Sequence, residues 1–241
     1  MTPWLTPDWP APENVRACVT TRAGGVSVEP FDSFNLGDHV GDEPAAVFEN
    51  RRRLTAELGC QPAWLSQVHG IEVVEADPSA VAIADASWSA APGIACTIMT
   101  ADCLPALFCD RAGTRVGAAH AGWRGLAGGV LEATVNAMGV APTELLVWLG
   151  PSIGPQAFEV GAEVREAFLA EHAEAERAFL LGTKADKFMA DIYELARIRL
   201  AAKGVTAVYG GDFCTFTETE RFYSYRRSSR TGRLASLIWL S

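Results

Sequence analysis

The segment from Ile94 to Met138 constrains the fold more than any other part of the chain. Three short, apolar, β-rich runs at 94–99, 105–109 and 116–119 follow one another closely. Behind them, Leu126, Val130, Leu131, Thr134 and Met138 recur at helical spacing until Gly139. Such a stretch must pair its strands and cover them with helix. Further strands are expected at 63–68 and 71–75 and in "ELLVWLG", "TAVYGG", "RFYSYRR" and "ASLIWLS". Helices are expected at about 44–58, 163–170 and 190–203. Gly59 serves as a C-terminal stop for the first, with Asp42 or Glu43 near its positive end. The alternation of strand and helix is not strict, and no linker or repeat divides the chain. These features predict a mixed α/β (α+β) fold in one domain spanning 1–241.

Composition narrows the function. At 241 residues and 49% hydrophobic content, the chain can bury a large core and is not disordered. No apolar run approaches the roughly 20 residues needed to cross a bilayer, so no membrane partner is expected. The start, "MTPWLTPDWPAPENVRA", lacks a secretory pattern, and the six cysteines are scattered. A reduced, cytoplasmic setting follows as the expectation. The net charge of −9 and pI near 5.0 would repel a phosphate backbone, so nucleic acid is not an expected partner. A small anion is another matter. Arg226, Arg227, Arg230 and Arg233 crowd into eight positions, and an arginine fork fits phosphate bidentately. Alternate residues of a strand point oppositely, so only one or two of them are expected to reach a common site. Neither a dinucleotide-binding nor a P-loop glycine pattern is present.

Four histidines occur, at 39, 69, 120 and 172. His172 lies in a polar helical stretch and His39 in a loop, and both read as surface residues. His69 is placed at the end of an apolar strand before a glycine. His120 ends the strand "RVGAAH", where Ala119, Ala121 and Gly122 leave room around it. Strand ends hold side chains rigidly yet within reach of solvent. Cys103 sits at a strand-to-loop transition beside Asp102, a charge that a deep core would reject. Cys96 and Cys109 read as small core hydrophobes. On the residues alone three readings of His69, Cys103 and His120 stay open. They are two imidazoles and a thiolate holding zinc, or trigonal copper, with an open position; a Cys–His nucleophile pair; or ordinary core side chains.

The motifs "TTRAGGVS" (20–27), "FNLGDHVGD" (34–42), "QVHG" (67–70), "TADCLPALFCD" (100–110), "AAHAGWRG" (118–125), "LGPSIGPQAFEVG" (149–161) and "SYRRSSRTGR" (224–233) occur in this order. In them the chain resembles the YfiH family, also described as the multicopper polyphenol oxidase laccase-domain family. The resemblance implies a layered sandwich similar to the cysteine-hydrolase fold of cytotoxic necrotizing factor toxins. It implies that His69, Cys103 and His120 are zinc ligands, and that Cys103, His120, Arg22 and Asn35 carry catalysis. Arg22 and Asn35 would line the same cleft, with Tyr225 and Arg226 near it and Arg22 and Arg226 receiving phosphate. The implied activity is a purine nucleoside phosphorylase acting with phosphate on adenosine, inosine and methylthioadenosine, with adenosine deaminase activity. A thiol hydrolase, or a peptidoglycan-precursor editing factor, is the alternative. The chain departs from the family at Ser228-Ser229, where many members carry Asp-Gly, which changes the turn chemistry. A multicopper cluster needs far more histidines than four, so oxidase activity ranks as a weak, copper-dependent secondary property. The H-x-E…P-C-x-x-C signature of known zinc deaminases is absent, so a deaminase here would use other residues. Asp102 could orient a ligand, accept a proton or cap a loop. Seven tryptophans and an apolar C-terminus are compatible with a homodimer.

Overall fold

The computed structural model describes residues 4–241, so the first three residues of the expected domain lie outside the described ones. Two sheets form its middle. One has six strands in the order Ala207–Gly210, Leu145–Leu149, Leu104–Asp110, Val116–Ala121, Ala86–Ser89 and Val73–Glu75. Its two outer pairings are parallel and the inner three antiparallel. The other has four strands, ordered Val15–Val19, Leu234–Leu240, Ile94–Thr100 and Gln61–Ala63.

Side-chain alternation explains how they stack. Leu107, Cys109, Val116 and Ala118 point from the larger sheet towards Cys96, Ile98, Ile238 and Leu240 of the smaller, forming a shared core. Leu104, Ala106, Phe108 and Ala119 point the other way, into a core closed by four helices. These are α2 (Trp123–Gly128), α3 (Val130–Met138), α4 (Ala162–Leu169) and α5 (Ile192–Ala202). The outer face of the smaller sheet packs Ala95, Ala235 and Leu237 against Leu54 of α1 (Pro44–Leu58). The result is a four-layer α/β/β/α sandwich, in keeping with the mixed α/β expectation. It also explains why "LPALFCD" is buried at every position, since both faces of that strand are covered.

Helix α1 has the expected bounds and ends on Gly59 in the left-handed region, whose N–H bonds Thr55 O. Other expectations need correction. The single helix expected at 125–138 is broken, because Gly129 at φ 101° ends α2 and starts α3. The strand expected at 63–68 ends early: its pairing stops at Ser66, and His69 follows in a turn at φ 62° rather than at the strand end. "RFYSYRR" forms no strand. Its backbone is held by a turn and by side chains instead: the N–H groups of Arg221 and Phe222 donate to Glu218 O, that of Arg226 to Asp102 and that of Arg227 to Ser224 Oγ, while the Arg227 guanidinium donates to the carbonyls of Phe222, Thr215 and Phe216. Those contacts satisfy the segment without a ladder and bury Phe222 and Tyr223 completely.

Phe108 is fully buried between the larger sheet and the helices. Phe108→Ala is expected to cost about 3–5 kcal/mol, read as a lowered urea midpoint with an unchanged slope.

Candidate metal centre

Three chain segments meet where the two sheets end. Ile94–Thr100 finishes at the turn that carries Asp102 and Cys103, Val116–Ala121 ends next to His120, and the turn at 68–70 brings His69. Residues 116, 118 and 120 share the face between the sheets, so His120 emerges at the rim of the shared core and is only 3% exposed. The His69 Nε2 and Cys103 Sγ atoms are 3.8 Å apart, and the ring centroids of His69 and His120 are 4.7 Å apart. One donor atom from each of the three lies within 4.8 Å of the others. Exposure rises from His120 through Cys103 to His69, so the cluster opens towards solvent on the His69 side.

Asp85, a fully buried carboxylate, builds the cluster from behind. Its Oδ1 accepts His120 Nδ1–H at 2.8 Å and His69 N–H at 2.9 Å, and its Oδ2 accepts the N–H groups of Val68 and Gly70 at 3.1 and 2.7 Å. Burial pushes the Asp85 carboxyl up, but His120 and these backbone donors outweigh it and hold it below its ordinary value. An ionised Asp85 can only accept, so Nδ1 of His120 bears a proton whether or not the ring is charged, and Nε2 is the atom that faces the cluster. Asp85 was not singled out in the sequence. Its one signal was an aspartate inside the apolar run "AVAIADASW".

Cys103 behaves unlike the other core thiols. Burial pushes Cys96 and Cys109 up to about 12, in keeping with core roles. Burial pushes Cys103 up too, but the facing His120 and His69 bring it down to about 6. His120 moves the opposite way: burial lowers it, and the thiolate and Asp85 together raise it to about 9. The donor set fits a metal. It combines two imidazoles and a ready thiolate, one imidazole oriented by a carboxylate as metal-ligating histidines commonly are. The 3.8 Å His69–Cys103 separation can be spanned by bonds of about 2.1 and 2.3 Å to one ion. Gly122 leaves room for it, because a Cβ there would sit 2.8 Å from His69 Cδ2 and 3.0 Å from Cys103 Sγ.

A cavity of about 470 Å³ opens over the cluster, walled by Met99, Ile153, Phe158 and Tyr225, and by Arg226, Arg233 and His39. The profile of a family described as multi-copper polyphenol oxidoreductase laccase matches residues 16–241. A purine nucleoside phosphorylase of Escherichia coli (strain K12), named YfiH, is 57% identical over 244 residues, covering all of both chains. The chain belongs to the YfiH family. A purine nucleoside phosphorylase of Pseudomonas aeruginosa is 75% identical over 240 residues, covering 100% of this chain and 99% of that one. The crystal structure of the Neisseria meningitidis protein NMB0706 superposes with a TM-score of 0.96 at 53% identity, covering 99% of each chain.

The residues expected at the YfiH-family site are not all brought together. Arg22 does not line this cavity. It borders a separate groove with Asp32 and Thr219, and each of its side-chain nitrogens has a partner in Asp32 or Thr219 O. Asn35 is fully buried beneath the cavity and bonded to Gly37, Asp42 and the backbone N–H of Arg233. Arg226 lines the cavity; Arg227 is turned inward onto carbonyls, and Arg230 stacks over Phe31 outside it. His39 is exposed as expected, though it also borders the cavity, while His172, expected on the surface, is partly buried near Glu174. Asp102 caps the Cys103 loop: its carboxylate accepts from Thr215, Ser224 and the N–H of Arg226, and its carbonyl from Ser152 and Ile153.

With the site stripped of metal, Cys103 should react with iodoacetamide at a rate already level by pH 7, whereas an unperturbed thiol near 8.5 would still be rising. Asp85→Asn removes the partner that helps keep His120 charged. The alkylation midpoint should then move to higher pH, and affinity for zinc added as a probe ion should fall about 10–100-fold, measured by competition with a chromophoric chelator. An unchanged midpoint would refute the role given to Asp85.

Proposed function

We propose that this protein is a zinc-dependent purine nucleoside phosphorylase that splits adenosine, inosine and methylthioadenosine with phosphate. The observation that carries this reading is the pairing of a three-donor His–Cys–His cluster with a cavity that also presents cationic arginine. Its volume of about 470 Å³ is of the size that holds a nucleoside-sized ligand. His69, Cys103 and His120 would hold the ion, and Asp85 keeps His120 in the tautomer that binds it. When bound, zinc with one open position supplies Lewis-acid polarisation. Phe158, Ile153 and Met99 offer an apolar wall against which a purine and its ribose exclude water, and an arginine holds the phosphate. An oxygen of hydrogen phosphate then attacks C1′ as the bond to the purine nitrogen breaks, giving ribose 1-phosphate (or 5-methylthioribose 1-phosphate from methylthioadenosine), and the proton the phosphate gives up goes to the departing nitrogen of the free base. Deamination of adenosine would use the same cluster. The names of the relatives from E. coli and P. aeruginosa support the phosphorylase reading. Copper could occupy the same donors, but four histidines cannot build a multicopper cluster. Six unpaired cysteines support a reducing, cytoplasmic setting.

One observation favours a second reading. Cys103, His120 and Asp85 form a nucleophile, base and orienting carboxylate in sequence of contact, as a thiol hydrolase requires. Metal separates the two. Zinc-loaded protein should release hypoxanthine from inosine and adenine from adenosine only when phosphate is present, and His120→Ala should lose both zinc and turnover. Activity that survives chelation and is abolished by iodoacetamide would instead establish the hydrolase. Fully zinc-loaded protein that leaves both nucleosides intact would overturn the phosphorylase.

A further inference from the structure

The cavity holds two arginines with no carboxylate in contact with the guanidinium, although Asp102 acts on Arg233 through space. Arg226 and Arg233 line it, and neither forms an ion pair among the described residues. Their donors are also only partly used. Arg233 gives Nη1 to the carbonyls of Thr231 and Gly232, and Arg226 gives Nη1 to Glu159 O. In both, Nε and Nη2 have no protein acceptor among the described residues. That Nε–Nη2 edge is the side of a guanidinium that grips two oxygens of one oxyanion. The neighbouring arginines differ: Arg22 spends Nε, Nη1 and Nη2 on Asp32 and Thr219, and Arg227 spends both terminal nitrogens on carbonyls. In a chain of net charge −9, two guanidiniums with free edges line one partly apolar cavity, Arg233 partly buried and Arg226 open to solvent.

The segment 35–37 accounts for how Arg233 is set. Asn35 Oδ1 accepts the backbone N–H of Arg233 at 2.8 Å and that of Gly37 at 2.9 Å, while its Nδ2 is tied to Gly37 O and Asp42. A Cβ on Gly37 would come within 2.7 Å of Arg233 Cγ, so only glycine lets the arginine stem lie there. Asn35 therefore never meets a ligand itself.

We propose that Arg233, together with Arg226, forms the phosphate subsite of this cavity, and that Asn35 is a positioning residue that acts through Arg233. This rests on the phosphorylase reading for the identity of the anion, but not for its existence. Arg22, expected to bind phosphate, takes no part.

The test is titration of inorganic phosphate into zinc-loaded protein by calorimetry, beside the KM for phosphate and for inosine. Arg233→Gln should weaken phosphate binding at least about tenfold and raise the phosphate KM alike, with the inosine KM moving much less. Arg233→Lys, which keeps the charge without the fork, should fall between. Asn35→Ala should reproduce the Arg233→Gln split in milder form, and Arg230→Gln should match the wild type. Phosphate affinity unchanged in both Arg233→Gln and Arg226→Gln overturns the subsite. A uniform loss of kcat in Asn35→Ala with the phosphate KM unmoved overturns the positioning role. If the wild type binds phosphate through Arg233 yet splits no nucleoside, the phosphorylase reading fails and the subsite stands.

Discussion

The site hangs on one buried carboxylate. Asp85 is fully enclosed, and an ion there is tolerable only because two backbone N–H groups on one oxygen, and another with an imidazole on the other, replace the water it has lost. The same four contacts assemble the centre. Three fold the turn at 68–70 around the carboxylate and so fix where His69 stands, and the fourth fixes the ring of His120. The Asp85 carbonyl adds a fifth by accepting the His120 N–H at 2.7 Å. Two donors distant in sequence are thus placed by a single group, and neither can shift without the other.

Asp102 does the matching work on the opposite side. Its left-handed backbone turns the chain between two strands of different sheets, and its carboxylate gathers Thr215, Ser224 and the N–H of Arg226. Cys103 and the arginine-bearing loop are therefore positioned from one point, as His69 and His120 are from the other. The strands themselves are covered on both faces, which leaves their ends as the place where such loops can meet around a cavity.

The sequence made the periodic elements and the donor residues legible, because both are local. Helix α1 carries its own Pro44 start and Gly59 stop, and "AHAG" surrounds its histidine with small side chains. What escaped was set by partners remote in the chain. Asp85 looks like any aspartate until the turn at 68–70 and strand end at 120 close on it. "RFYSYRR" has strand composition, yet Glu218 O, Asp102 and Ser224 take its N–H groups and Arg227 takes the Phe222 carbonyl, so it joins no ladder. Arg233 was one of four clustered arginines, and only its contact with Asn35, 198 positions away, distinguishes it.

The proton balance of the cluster bears on how it takes a metal. Metal ligands must be deprotonated, so affinity is linked to pH through whichever donor still holds a proton. In the metal-free protein the histidines facing Cys103 pull its pKa down to about 6, which favours the thiolate. The corresponding proton has not left the site; it resides on His120, raised to about 9 by the thiolate and by Asp85. A metal taken up here would displace whichever proton the coupled His120–Cys103 pair still holds. Asp85 cuts both ways in this exchange. It stabilises the imidazolium that must be lost, and it orients and strengthens the imidazole that takes its place. A positive ion restores beside Cys103 the charge that the departing proton removed, so the buried thiolate is never left without a cation. That requirement for a resident positive charge is why the cluster suits a metal better than it suits an empty, neutral core.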